Sequence, residues 1–234
     1  AANCTGAPVA GTASSSANSV CAGNNFDLTL TGNTVAPGIT YQWISSPDGV
    51  SYSNEANGTT SSFTTSITDT TYYRAIVTCT GSGLSDTTAA IEVTLNAPSL
   101  CYCTAALGGF CGDADVANLT ILGTTLNSNP TCVTTVDGDA YQQLPATGST
   151  TATLVTGASY SLTLTMDAAG ISSVWFDWDQ NGVFDTYEWT QITTNATAGT
   201  VTITVPNNAG LGLTGMRIRT RLPGNTNDAS SACI

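Results

Sequence analysis

Short runs of alternating apolar and polar residues recur along the whole chain, and no stretch shows three turns of helical periodicity. The runs are rich in Thr, aromatic and β-branched residues and end at turn signals such as SPDG at 46–49 and TGSG at 80–83. This pattern is typical of sandwiches of short antiparallel strands with polar outer faces. We therefore predict an all-β fold, and the 234 residues are enough for two β-sandwich domains in tandem.

The first predicted domain spans residues 1–99. Its strand-like runs are spaced as in an immunoglobulin-like sandwich of about seven strands, and Trp43 falls on the third run, where such a core would bury it. Residues 96–103, NAPSLCYC, are interpreted as a short linker around Pro98. The second predicted domain spans residues 100–234 and contains further runs of the same kind, such as ATLVTG, SYSLTLTM, SSVWFDWD, WTQITTN and GTVTITVP.

The charge balance excludes two classes of partner. Only 9% of the residues are charged, and four Arg against sixteen Asp and Glu give a net charge of −12. Nucleic acids and anionic membrane surfaces both require a basic patch, so we expect neither as a partner. No apolar run approaches the ~20 residues of a spanning helix, and the start, AANCTGAP, has no signal region. We expect no membrane insertion and interpret the chain as a mature or excised piece of a secreted protein.

Residues 177–188 carry the most informative motif. Oxygen-bearing side chains fall at the first, third, fifth, ninth and twelfth places, a glycine stands sixth, and the seventh residue can offer its carbonyl, as in an EF-hand loop. Calcium takes six to eight hard oxygen ligands, which this loop can supply, whereas magnesium is stricter in geometry. We predict a Ca²⁺ site with the ligands Asp177, Asp179, Asn181, the Val183 carbonyl, Asp185 and a bidentate Glu188.

The residues on either side of this loop indicate strands rather than EF-hand helices. Alternation in VWFDWD places Phe176 and Trp178 on one face, toward the core, and Trp175 and Asp177 on the other. The alternative interpretation is an acidic hairpin turn without a metal. If calcium binds, it stabilises the fold by ~2.7 kcal/mol at a concentration one hundred times the dissociation constant.

Two family resemblances follow from longer motifs. VCAG at 20–23, YQWISSPDG at 41–49 and TYYRAIVTC at 71–79 resemble immunoglobulin-like repeats of very large secreted proteins of gliding Gram-negative bacteria. YC at 102–103, VWFDWDQNGVFDTYE at 174–188 and GMRIRTR at 215–221 resemble the GEVED domain. The first resemblance implies an immunoglobulin-like sandwich, and the second implies a jelly-roll-like GEVED-type sandwich. The motif that names the GEVED family is expected soon after Cys233, so we interpret the chain as ending before its last strand.

The bacterial resemblance also implies a location and a modification. It implies type IX secretion and a secreted or cell-surface protein whose partners include other domains of the same large chain. DTT at 69–71 and at 86–88 matches an O-glycosylation motif of that lineage, which makes Thr70 and Thr87 candidate acceptors.

Eight Cys residues, with no His and no CxxC spacing, indicate disulfides in an oxidising compartment rather than a zinc site. An immunoglobulin-like topology favours one pair at each end of the first sandwich over a direct Cys21–Cys79 pair. Spacing does not decide the pairs of the second domain. Our hypotheses are Cys4–Cys79, Cys21–Cys101, Cys111–Cys132 and Cys103–Cys233.

Three further groups of residues have both a functional and a structural interpretation. Trp175 and Trp189 flank the acidic loop and are candidates for glycan contact, although Trp in a sandwich more often packs in the core or at its rim. The alternating Arg217, Arg219 and Arg221 form either a strip for anionic glycans or, as we prefer, partners of nearby acids. Two acidic pairs offer a second cation site or solvated loops: Asp113 with Asp115, and Asp137 with Asp139.

The sequence argues against an enzyme, because His and Lys are absent and no GxSxG occurs. We expect a non-catalytic segment of a secreted or cell-surface adhesin, acting as a calcium-stabilised spacer or binding module. The first alternative is a carbohydrate-binding accessory module of an exported enzyme, with surface glycans as partners. The second is an extracellular filament subunit in which a neighbouring subunit adds a strand to an open sheet edge.

Overall fold

The computed structural model describes residues 3–104, 107–135 and 140–233. The chain divides into two compact units, Ala1–Ala97 and Pro98–Ile234. The described ranges contain strands and short 3₁₀ segments and no α-helix, so the all-β prediction is confirmed. The 3₁₀ segments are Pro98–Leu100, Gly148–Thr150, Thr186–Glu188 and Ser231–Cys233.

The first unit is a sandwich of two sheets. One sheet has the strand order β1-β3-β6, and the other has the order β2-β9-β7-β4-β5, with β8 also paired to β7. Leu28, Trp43 and Val77, which are fully buried, come from both sheets and share one core. The strands are β1 Thr12–Ser15, β2 Ser19–Val20, β3 Phe26–Thr31, β4 Ile39–Ser46, β5 Ser53–Asn54, β6 Ser62–Thr65, β7 Thr71–Cys79, β8 Leu84–Thr87 and β9 Ile91–Leu95.

The second unit is built on one long hairpin, β12 with β13. β10 pairs with one edge of the first half of β12, and β14 pairs with the second half. The runs SYSLTLTM and SSVWFDWD form one strand, as do WTQITTN and GTVTITVP, whereas ATLVTG at 152–157 forms none. The strands are β10 Val116–Ile121, β11 Asn127–Ser128, β12 Ser159–Phe176, β13 Trp189–Thr204 and β14 Met216–Arg221.

The long hairpin bends in its middle and so forms two layers. Its pairing passes from Thr165 with Ala198 to Gly170 with Ala196, so several residues of β12 bulge opposite one residue of β13. Leu164 before the bulge and Phe176 after it belong to the same core cluster. The bend therefore closes a sandwich-like core and carries the end of β12, with its acidic loop, to the edge of that core.

Candidate metal centre

The acidic loop, residues 177–188, is the connection between β12 and β13. Trp175 and Trp189 are paired across the two strands at its base. Phe176 and Trp178 stack with ring centroids 4.6 Å apart and pack on the main core, as the alternation predicts. The loop ends in the 3₁₀ segment Thr186–Glu188, so its last carboxylate folds back toward its first.

Three carboxylates converge inside this loop. Asp177, Asp179 and Glu188 each offer an oxygen, and these oxygens lie within 4.8 Å of one another. Asp177 is fully buried and Glu188 is only 2% exposed, whereas Asp179 faces solvent. Buried carboxylates are costly unless donors or a cation compensate them. The arrangement therefore concentrates negative charge where water solvates it poorly.

Neutral donors hold the Asp177 carboxylate. Its Oδ2 accepts hydrogen bonds from the Tyr102 hydroxyl at 2.7 Å and from the Gly182 N–H at 3.0 Å. Its Oδ1 accepts the Asn181 N–H at 3.1 Å. Tyr102 lies 75 residues before Asp177 in the chain and has no place in the EF-hand spacing, so sequence analysis missed it.

Glu188 joins the two ends of the loop. Its Oε1 accepts the Trp178 N–H at 2.5 Å, and its Oε2 accepts the Asp185 N–H at 2.9 Å. Both carboxylate oxygens of the twelfth position thus point into the loop. Glu188 is the residue that the EF-hand spacing predicts as the bidentate ligand.

The remaining predicted ligands lie in the same loop but at its outer side. The Asn181 amide donates to Asp185 Oδ2 at 2.9 Å and to Asp179 Oδ2 at 3.2 Å. The Asn181 side-chain oxygen accepts the Val183 N–H at 2.7 Å, and the Tyr187 hydroxyl donates to Asp179 at 2.7 Å. Asp177, Asp179 and Glu188 thus converge, Asn181 links Asp179 to Asp185, and a contribution from the Val183 carbonyl stays a prediction.

The burial of the carboxylates changes their acidity. Burial raises the pKa of Asp177, although its hydrogen bonds from Tyr102 and Gly182 act in the opposite direction. Burial, together with the charges of Asp177 and Asp179, raises the pKa of Glu188 to about 7. Without a cation, the folded loop thus binds a proton at Glu188 more tightly than an ordinary glutamate does.

Gly182 has two separate reasons to be glycine. Its φ is +81°, a left-handed conformation that side chains rarely adopt. A Cβ at this position would also collide with the Cβ of Cys101. The sharp turn expected at the sixth place of the loop is therefore present.

Two of the arginines on β14, Arg217 and Arg219, bind backbone carbonyl oxygens. Arg217 donates to the carbonyl oxygens of Cys103 and Ala232 and lies 4.8 Å from the centre of the Phe184 ring. Arg219 donates to the carbonyl oxygens of Leu107 and Ser231. The described contacts of Arg217 are thus with carbonyl oxygens, aromatic rings and the sulfur atoms of the Cys103–Cys233 disulfide, in contrast to the acidic partners that the sequence favours.

Trp175 is not a glycan contact, and this prediction is wrong. Its side chain is fully buried, its Nε1 donates to the Ala229 carbonyl at 3.1 Å, and it packs with Phe184 and Ala232. The face of β12 opposite the main core is itself covered, so it does not present a ring to solvent. Trp189 packs against the same small cluster but stays partly exposed, and its glycan contact stays a prediction.

The prediction of disulfides is confirmed. The structure pairs Cys4 with Cys79, Cys103 with Cys233, and Cys111 with Cys132. A bond between Cys21 and Cys101 stays a prediction.

The remaining candidate positions are the two acidic pairs outside the loop and the two threonines proposed as glycosylation acceptors. Asp115 accepts the Gly112 N–H at 2.8 Å, and its own N–H donates to Asp167 at 2.7 Å. Asp137 and Asp139 lie outside the described residues. Thr87 is exposed on β8 and Thr70 is partly exposed, so glycosylation of both stays a prediction.

Two known families match the chain, one within each of its two units. Residues 172–234 match the GEVED domain, and residues 9–97 match a domain of unknown function, DUF8696. The resemblance of the second unit to a GEVED domain is thus confirmed over that range, which contains the acidic loop and β14. No curated protein matches the chain. Among the described residues, no helix is long and apolar enough to cross a membrane.

One solved structure is similar over most of its length. It comes from work on the promiscuous specificity of carbohydrate-binding modules from the β-sandwich superfamily. The identity is 13%, the similarity covers 94% of each chain, and the TM-score is 0.30.

Proposed function

We propose that this chain is a non-catalytic segment of a secreted or cell-surface adhesin, and that its second unit binds Ca²⁺ in the acidic loop. The observation that supports calcium binding is the burial of Asp177 and Glu188, whose carboxylate oxygens lie within 4.8 Å of each other and of an Asp179 oxygen. The donors described for Asp177 and Glu188 are a hydroxyl and backbone N–H groups, none of which is charged. A divalent cation would supply the missing positive charge.

The donor set suits calcium. It consists of carboxylate, amide and carbonyl oxygens, which are the hard ligands that Ca²⁺ prefers, and it contains no sulfur or imidazole. Asp177, Asp179, Asn181, the Val183 carbonyl, Asp185 and Glu188 would hold the ion. The chemistry supplied by the ion is charge compensation, which ties the ends of β12 and β13 together.

A catalytic role for the same carboxylates is disfavoured. Glycoside hydrolysis needs two carboxyl groups that flank a bound sugar. Asp177 is fully buried, and Glu188 uses both oxygens to bind backbone N–H groups within the loop. A substrate would therefore have to displace the loop in order to reach them, and a structural role accounts for the same geometry more simply.

A spacer role is supported by the first unit and by the cysteines. Its strands form two sheets, β1-β3-β6 and β2-β9-β7-β4-β5, and β-sandwiches of this size are common in cell-surface proteins. Disulfides persist in oxidising compartments outside the cytosol. Together they favour an extracellular location and a structural element that other domains of a longer chain would extend.

Thermal unfolding tests the calcium proposal. We expect added Ca²⁺ to raise the melting temperature of the chelator-treated chain, with a smaller effect from the same concentration of Mg²⁺. Glu188→Gln removes one charge at nearly constant shape, and we expect it to abolish the shift. Asp113→Asn is the matched control, since it removes a carboxylate outside the loop, and should leave the shift intact. Equal melting curves with calcium and with chelator would contradict the proposal.

A further inference from the structure

The segment Pro98–Cys103, which follows the first unit in the chain, is bound directly to the acidic loop. The Tyr102 hydroxyl donates to Asp177 Oδ2 at 2.7 Å and accepts the Gly215 N–H at 2.8 Å. The Tyr102 ring stacks on Phe184, a loop residue, with centroids 4.5 Å apart. One side chain of the segment thus contacts the first predicted ligand, the middle of the loop and the start of β14.

Two glycines of the site, Gly182 and Gly215, also pack closely against the segment Pro98–Cys103. Gly182 lies so near Cys101 that there is no room for a Cβ. Gly215 lies against the ring of Tyr102 in the same way. Both glycines therefore permit a close approach between the segment and the elements that form the site, and the segment cannot move without breaking these contacts.

We propose that Ca²⁺ binding in the acidic loop and docking of Pro98–Cys103 are coupled, with Tyr102 as the positioning residue. The inference rests on the proposed function. By donating to Oδ2 of Asp177, Tyr102 fixes the orientation of that carboxylate before an ion arrives. An ion bound to Asp177 would in return hold this carboxylate in the position that accepts the Tyr102 hydrogen bond. Such coupling is reciprocal by necessity.

The disulfide beside Tyr102 defines which residues respond. Cys103 is bonded to Cys233, so the chain remains tethered immediately after Tyr102 whether or not an ion is bound. We therefore expect the response before that tether, in Pro98 to Tyr102, a stretch that also contains the disulfide-bonded Cys101. Calcium in the loop thereby controls the order of the first residues of the second unit.

Hydrogen exchange of the wild-type chain, with and without Ca²⁺, tests the coupling directly. We expect calcium to slow exchange in the peptide that contains residues 98–103 and at the Gly215 amide. Tyr102→Phe keeps the ring that stacks on Phe184 and removes only the hydroxyl. We expect this variant to bind Ca²⁺ about tenfold more weakly, as loss of a hydrogen bond to a charged group implies, and to lose most of the slowing.

Tyr160→Phe is the matched control. Its hydroxyl accepts the N–H of Val155, a residue outside the loop, at 3.0 Å, so calcium affinity should stay unchanged. If wild-type chain binds Ca²⁺ while Tyr102→Phe binds equally tightly and residues 98–103 exchange at the same rate in both states, the coupling is overturned and the calcium site stands. If wild-type chain binds no Ca²⁺ in calorimetry, the proposed function itself is overturned.

Discussion

Trp175 and Trp189 are paired residues of β12 and β13, and the whole acidic loop lies between them. The loop is therefore the closure of the longest hairpin in the described part of the second unit rather than an appendage to it. Any change in the charge balance of Asp177 or Glu188 acts on the ends of both strands.

The stability of the calcium-free chain should fall as the pH rises. The pKa of Glu188 in the folded state is raised to about 7 from an ordinary value of 4.5. A raised carboxylate pKa means that the folded state holds the proton more tightly, so this contribution is complete below the ordinary pKa and is lost as the pH rises through about 7. The raised pKa of Asp177 acts in the same direction.

Melting temperatures in chelator between about pH 5 and about pH 8 measure this effect. We expect a decrease across the range for the wild-type chain and a smaller one for Glu188→Gln. With saturating Ca²⁺ the decrease should disappear, because the ion competes with the proton and binds best to the ionised loop. An increase in melting temperature in chelator over the same range would be inconsistent with a buried, uncompensated Glu188.

Gly182→Ala should lower the free energy of unfolding by more than the strain of its left-handed backbone alone. Gly182 and Gly224 both have positive φ, +81° and +89°, so either alanine variant carries a left-handed strain of ~1–2 kcal/mol. Only the Cβ at position 182 would also collide with Cys101, whereas nothing lies within 4 Å of the Cβ at position 224. Denaturant unfolding of the two variants should give a clearly larger loss for Gly182→Ala. Equal losses would show that the segment does not pack against the loop.

Trp175 should contribute to stability as a core residue. Trp175→Ala removes a fully buried side chain and its hydrogen bond to Ala229, and we expect a loss of ~3–5 kcal/mol. Trp189→Ala should cost less, because Trp189 is partly exposed. If Trp175→Ala does not fold, Trp175→Phe should still destabilise the chain measurably. A Trp175→Phe variant as stable as the wild-type chain would contradict this core role.

The disulfides can be mapped by digestion without reduction. We expect linked peptides for Cys4–Cys79, Cys103–Cys233 and Cys111–Cys132. We also expect a peptide that joins Cys21 to Cys101, as the sandwich topology favours. Cys21 linked to Cys79 would contradict both the structure and the topological argument.

Features formed by residues close together in the chain could be predicted from the sequence. Asp177, Asp179 and Glu188 lie within one loop, so their spacing in the sequence was enough to predict that their carboxylates converge. Alternation likewise placed Phe176 and Trp178 on the core face, since a strand presents successive side chains to opposite faces.

The long-range features could not be predicted in this way. The alternation of side chains along β12 predicts that Trp175 faces away from the main core. It does not predict that Phe184 and Ala232 cover that second face. Tyr102 contacts Asp177 across 75 residues, and no spacing rule connects the two. The bend at Gly170 divides one strand into two apolar runs that look like separate strands in the sequence.

Calorimetric titration of the chelator-treated chain with CaCl₂ tests the central claim most directly. We predict binding of one calcium ion per chain in the acidic loop, with loss of that binding in Glu188→Gln and retention in Asp113→Asn. Circular dichroism of each variant would show that the fold is kept. Absence of binding by the wild-type chain, or equal binding by Glu188→Gln, would contradict the assignment of the loop as a calcium site.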